Sequence, residues 1–171
     1  LEHRAFKGTA RRGARQIAEE IEAVGGQLNA YTSREVTAYH ATVLKDDIAL
    51  AVDILADILQ NPTFDEAELE RERAVVLQEI GQSLDTPDDL VFDHFQDAAF
   101  PGQPMGRTVL GPPEVVGAMA RHTLMDYMAE HYTAPRMVVA AAGNLDHDAL
   151  AALVEKSFGQ LSGGPGGAPE A

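Results

Sequence analysis

The chain contains no cysteine, which excludes disulfides, thiolate metal sites and cysteine nucleophiles and leaves the redox compartment open. Any metal must therefore be held by His and carboxylate groups. Basic residues are scarce, with 13 Lys and Arg against 27 Asp and Glu and a formal charge of -14. That balance opposes binding to a phosphate backbone, where Lys and Arg must replace counterions, so nucleic acid is not an expected partner. The same acidic field either serves solubility or draws in basic ligands and peptides. No stretch approaches the roughly 20 apolar residues of a membrane span, and no basic-then-apolar signal segment opens the chain. A soluble chain, or a soluble piece of one, is expected. What the 171 residues do hold is 45% apolar and 23% charged side chains, ordinary values for a globular protein with a real core, at a length that suits one domain.

Both ends carry expectations about organisation. Leu1 runs straight into Glu2-His3-Arg4-Ala5-Phe6-Lys7 without an initiator Met or a cap, which reads as a chain cut from something longer. Ser162 to Pro169 holds four Gly and two Pro, the composition of a flexible or semi-extended connector. The expected layout is one domain over 1–161 and a Gly/Pro-rich linker over 162–171 toward a further domain. The bias to Ala, Gly, Arg and Asp leans toward a bacterial source, and a cytoplasmic location is expected.

Periodicity predicts mostly helices. Ala14, Ile17, Ala18, Ile21 and Val24 follow helical spacing between Arg11 and Val24, and Gly25-Gly26 stops that helix. Gln27 to Leu44 is rich in Tyr, Thr and Val and is divided by Thr32-Ser33-Arg34-Glu35, which predicts a β-hairpin or two adjacent strands. After Asp46-Asp47, Ile48, Val52, Leu55 and Leu59 mark a helical face that ends at Asn61-Pro62. Asp65 and Glu68 resemble a capping box opening a long helix with Leu69, Val76, Ile80 and Leu84 on one stripe. Further helices are predicted over 88–100, 114–119, 123–131 and 146–157, with an irregular loop over 101–113. Arg136 to Ala142 has the look of a short buried strand. The expected class is α+β, a small mostly antiparallel sheet covered by helices.

Two places could carry chemistry. Adjacent Glu2 and His3 can set a general base beside a zinc ligand on one helical turn, the second half of an H-x-x-E-H arrangement, or form nothing more than a solvated, frayed turn. Glu72 and Glu79 are seven residues apart, nearly two turns, so both carboxylates share one side of the long helix beside Val76 and Ile80. They read either as a solvated acidic face with Arg71 and Arg73 as neighbours or as carboxylates able to ligate a divalent metal.

The string Leu1-Glu2-His3-Arg4-Ala5-Phe6-Lys7-Gly8-Thr9 resembles the inverted zinc motif of the pitrilysin, insulysin and mitochondrial-processing-peptidase family, typically H-F-L-E-H-M-x-F-K-G-T, entered just after its first His. Further segments follow in the family's order. Gly25 to Glu35 is similar to its G-G-x-x-N-A-x-T-S-x-E edge strand, and Glu79 lies 76 positions after His3, where the family places its third zinc ligand. Pro104 to Gly111 and Tyr132 to Asn144 also resemble family segments, so the likeness covers about residues 1–161.

The resemblance implies a zinc metalloendopeptidase of the bacterial processing-protease branch, acting on extended peptides or presequence-like segments. It assigns His3 and Glu79 to the metal and Glu2 to the general base, with Glu72 as an accessory acid that orients a ligand. Asn29, Ala30 and Tyr31 would lie on the edge strand to which a peptide adds main-chain hydrogen bonds. The departures carry expectations too. The motif's first His falls two positions before Leu1, so the three-ligand site is not completed by these residues, and weak or no zinc binding and no peptidase activity are expected of the isolated fragment. His40, His94, His122, His131 and His147 match no ligand position. Arg4 replaces an apolar Met and would press a charge toward the packing face, and Thr108 stands where Pro is common. The family's opening strands and second domain are also expected elsewhere, leaving an exposed sheet edge and a need for a companion domain or partner subunit, in a homo- or heterodimer. A non-catalytic partner subunit or binding fragment of the same fold is the alternative.

Overall fold

The structure is a computed structural model that describes residues 1–161, 163 and 164. The connector expected over 162–171 lies outside the described residues except for Gly163 and Gly164. A single helical turn, α1 (Glu2–Ala5), is followed by α2 (Ala14–Ala23) and by an antiparallel hairpin of β1 (Gln27–Thr32) and β2 (Thr37–Thr42). The register runs from Gln27 opposite Thr42 to Thr32 opposite Thr37. Ser33 closes the turn, its backbone N–H and its hydroxyl both donating to the Val36 carbonyl. Helices α3 (Ile48–Gln60), α4 (Glu66–Leu84), α5 (Pro87–Ala99), α6 (Pro113–Ala118), α7 (Arg121–His131) and α8 (His147–Phe158) complete the order. A small antiparallel sheet among helices is the class expected from the sequence.

The principal core lies between α1, α2, α3 and the hairpin. Ala5, Ile17, Ile21, Ile54 and Ile58 form its buried centre, and burying each large aliphatic side chain contributes about 1.5–3 kcal/mol. The deepest residues of α3 are Ile54 and Ile58, both 0% exposed, while Leu55 and Leu59 of the expected face only pack against them. The shift has a simple cause. Helix α3 meets α2, β2 and α8, so it is enclosed on several sides and no single apolar stripe defines its inner face. A second cluster of Phe64, Leu69 and Leu124 joins the start of α4 to α7.

One expected strand is not there. Arg136 closes a short 3-10 turn, Met137 after it is extended, and the stretch pairs with no strand among the described residues; Val138 is 93% exposed. A β-strand is held by its ladder, and an apolar run without a partner has the composition of a strand and none of its hydrogen bonds.

The loop between α1 and α2 is pinned by charge. Asp57 of α3, its side chain fully buried, accepts from Thr9 Oγ1 at 2.8 Å, Arg12 Nη1 at 3.0 Å and Asn61 Nδ2 at 3.1 Å. Arg12 also reaches Asp53 at 2.5 Å and Glu20 at 2.8 Å. Burial works against the Arg12 charge, but these carboxylate bonds outweigh it and hold its pKa above the ordinary value. The Gly8 backbone, at φ 122°, takes a conformation L side chains rarely adopt where the chain leaves α1.

Candidate metal and peptide site

Helix α4 is started by Asp65, whose Oδ1 accepts from the Glu68 backbone N–H at 3.1 Å. This satisfies a donor that would otherwise be left free at the helix start. From that origin Glu72 and Glu79 project on the side that faces α1. His3 sits between them. Its Nδ1 is 3.2 Å from Glu72 Oε2 and its Nε2 is 3.9 Å from Glu79 Oε2, so one imidazole links two carboxylates two turns apart.

The two carboxylates occupy different surroundings. The Glu72 side chain is only 10% exposed, and its second oxygen, Oε1, lies 2.6 Å from Lys7 Nζ. The Glu79 side chain is 40% exposed, and His3 is its ion-pair partner among the described residues. Glu2 turns away toward the hairpin, where its Oε2 accepts from Thr32 Oγ1 at 2.6 Å. Its base is thereby held at the end of β1, next along the chain from His3. Across the hairpin, the Tyr39 and Tyr132 hydroxyls are 3.1 Å apart, tying β2 to the end of α7; burial is the largest cause pushing both phenols up.

Arg4 does press into the packing face. It is 5% exposed, with its guanidinium 5.6 Å from the Phe64 ring centroid and Nη2 donating to the Asp65 carbonyl at 3.2 Å. Stacking on the ring and bonding the carbonyl at the α4 cap let a cation stand in an apolar position, and burial pulls its pKa down. Arg4 thus docks α1 against the start of α4.

Asn29, Ala30 and Tyr31 lie in a row along β1. The Asn29 side chain accepts from the Ala30 N–H at 2.8 Å, and Tyr31 is exposed with its ring 6.3 Å from that of His40. The flank of β1 opposite β2 carries no strand among the described residues. Sequence reasoning assigned no role to Lys7 or Thr32, which contact the expected site residues. The signal for both was present, since each lies inside a motif segment that was quoted for its neighbours.

The donor set suits zinc in kind. Two groups on one tetrahedral zinc at about 2.0–2.1 Å stand roughly 3.3–3.5 Å apart, close to the 3.9 Å between His3 Nε2 and Glu79 Oε2. The hydrogen bond of Nδ1 to a carboxylate is the arrangement that frees Nε2 for a metal. Among the described residues, no group of three His, Cys, Asp or Glu is placed to hold a metal ion, so the pair could offer at most two ligands and not a closed site.

The family described as "Insulinase (Peptidase family M16)" matches residues 1–113, and the one described as "Peptidase M16 inactive domain" matches residues 119–171. The chain is 49% identical over 165 residues to a probable mitochondrial-processing peptidase subunit beta of Arabidopsis thaliana, covering 96% of this chain and 31% of the relative. It is 42% identical over 164 residues to an uncharacterized zinc protease of Rickettsia felis, covering 96% of this chain and 40% of that protein. The chain thus spans about a third of the length of the plant relative. The crystal structure of a protease from Helicobacter pylori shares the fold, with a TM-score of 0.92 at 22% identity over 99% of this chain and 41% of that one.

Proposed function

The chain belongs to the insulinase family of peptidases, family M16, and from that premise we propose that it forms part of the catalytic domain of a zinc-dependent endopeptidase that cleaves extended peptides. The observation that carries this reading is the position of the His3 imidazole, between the carboxylates of Glu72 and Glu79 and next in the chain to Glu2. His3 Nε2 and Glu79 would hold the metal, together with a further ligand that is not among the described residues. Zinc bound there supplies Lewis acidity, polarising the scissile carbonyl and acidifying a water molecule.

The chain's own groups do the rest. Glu2 takes a proton from the attacking water and returns it to the leaving amine, and the Thr32 hydroxyl keeps its carboxylate on the hairpin side. Glu72 holds Nδ1 of His3 and so fixes the ring. An extended peptide lies along the free flank of β1 at Asn29, Ala30 and Tyr31, adding main-chain hydrogen bonds to the sheet. The net charge of -14 is compatible with basic, presequence-like substrates. A companion domain or partner subunit completes the substrate chamber, and the 171-residue chain alone is inactive.

The experiment is Glu2→Gln in the full-length protein. Zinc content stays near that of the parent while peptide cleavage is lost, and a chelator abolishes cleavage by the parent. Cleavage that persists in Glu2→Gln would contradict the general-base assignment. A non-catalytic binding role is the alternative, and a full-length protein that binds peptide without zinc would establish it.

A further inference from the structure

Glu72 and Glu79 are the same residue type on the same helix face, and His3 lies within reach of both; spacing alone does not say which carboxylate meets the metal and which holds the ring. Their surroundings differ in one respect. Glu72 is nearly buried and both its oxygens are engaged, Oε1 by Lys7 Nζ at 2.6 Å and Oε2 by His3 Nδ1 at 3.2 Å. Glu79 is four-tenths exposed and has no Lys or Arg partner among the described residues.

We infer that Lys7 is a positioning residue that commits Glu72 to His3 Nδ1 and so leaves Glu79 as the metal-binding carboxylate. The inference rests on the zinc reading above. Lys7 follows α1 in a turn closed by its backbone N–H on the Arg4 carbonyl, and Gly8 then joins it directly to the loop pinned at Thr9 and Arg12. A nearly buried carboxylate without a cation is unstable. With Lys7 gone, Glu72 has one partner in place of two, and a divalent cation at His3 Nε2 competes for it. The carboxylate then leaves Nδ1, the ring is free to turn, and the metal site loses the partner that orients its imidazole. Loss of such an orienting partner weakens metal binding by about 10–100-fold.

The test is a double-mutant cycle on zinc affinity in the full-length protein, with Lys7→Met, Glu72→Gln and the double variant, joined by 15N NMR of the His3 ring in the metal-free protein. Lys7→Met is expected to lower zinc affinity by about 10-fold or more, yet to change it less than about 2-fold when Glu72 is already Gln. The parent's His3 should carry its proton on Nδ1, and Lys7→Met should shift the ring toward a mixture of tautomers. Lys7→Gln is the second variant should the Met replacement fail to fold. A parent that binds zinc while Lys7→Met binds it equally well overturns the inference, as does an equal loss in both backgrounds, which would mean that Lys7 acts on stability alone. A parent that binds no zinc overturns the metal reading instead, and the ring tautomer then still decides the role of Lys7.

Discussion

Replacing Arg12 by Met tests the network that holds α1 in place. The side chain is 8% exposed and bonds three carboxylates, of which Asp57 has a side chain with no exposure at all. Met fills a similar volume but leaves Asp57 charged, with only Thr9 and Asn61 as donors. Breaking a buried pair from one side costs about 3–5 kcal/mol, because the remaining charge is stranded in a poor solvent. For a chain of this size each kcal/mol moves the melting temperature by about 2–4 °C, so a fall of about 6–20 °C is expected by circular dichroism. Adding Asp57→Asn should recover at least half of it, since the amide keeps the Thr9 bond and removes the stranded charge. A fall below about 2 °C, or an Asp57→Asn that deepens the loss, would refute the view that this buried pair anchors the loop.

Other outcomes follow from the same coordinates. The Arg11 bond, and after it that of Arg12, hold the Asp53 carboxyl below its ordinary pKa. Its contribution is therefore present above the usual carboxylate range and lost as pH falls through the lowered value, so Asp53→Asn should flatten the stability profile on the acid side of the usual carboxylate range. Asp53 is 41% exposed, and the effect should shrink in 1 M salt. Gly106→Ala should destabilise by about 1–3 kcal/mol, because a Cβ there would stand 2.4 Å from the Phe100 carbonyl oxygen; an unchanged denaturant midpoint would contradict this. Gly81→Ala, in the interior of α4 with open space around it, should stabilise by about 0.5–1 kcal/mol, read in the same titration.

What could be read ahead depended on how local each cause is. The seven-residue interval that puts Glu72 and Glu79 on one helix face is a property of the helix, as is the Asp65 cap, and both stand in the structure as expected. The hairpin was legible for the same reason, since its turn and alternation lie within sixteen residues. The division of labour between the two carboxylates came only from the family resemblance, and the contact of Glu72 with Lys7, 65 positions away in the chain, was not legible at all. Arg12 and Asp57 are likewise 45 positions apart, and neither residue type announces a buried partner. The segment after Arg136 failed as a strand because an apolar run records burial and says nothing of who pairs with it. Helix α3 misled in its face because it is apolar nearly all round, so periodicity carries little information about which side is deepest.

The central claim, that His3 and Glu79 hold a catalytic zinc while Glu72 stays on the far side of the ring, is tested most directly by anomalous diffraction at the zinc edge from crystals of the full-length protein. A peak within about 2.0–2.2 Å of both His3 Nε2 and a Glu79 oxygen, with Glu72 still against Nδ1 and Lys7, is the predicted result. A zinc peak bonded to Glu72, or none beside His3 in zinc-loaded crystals, would contradict it.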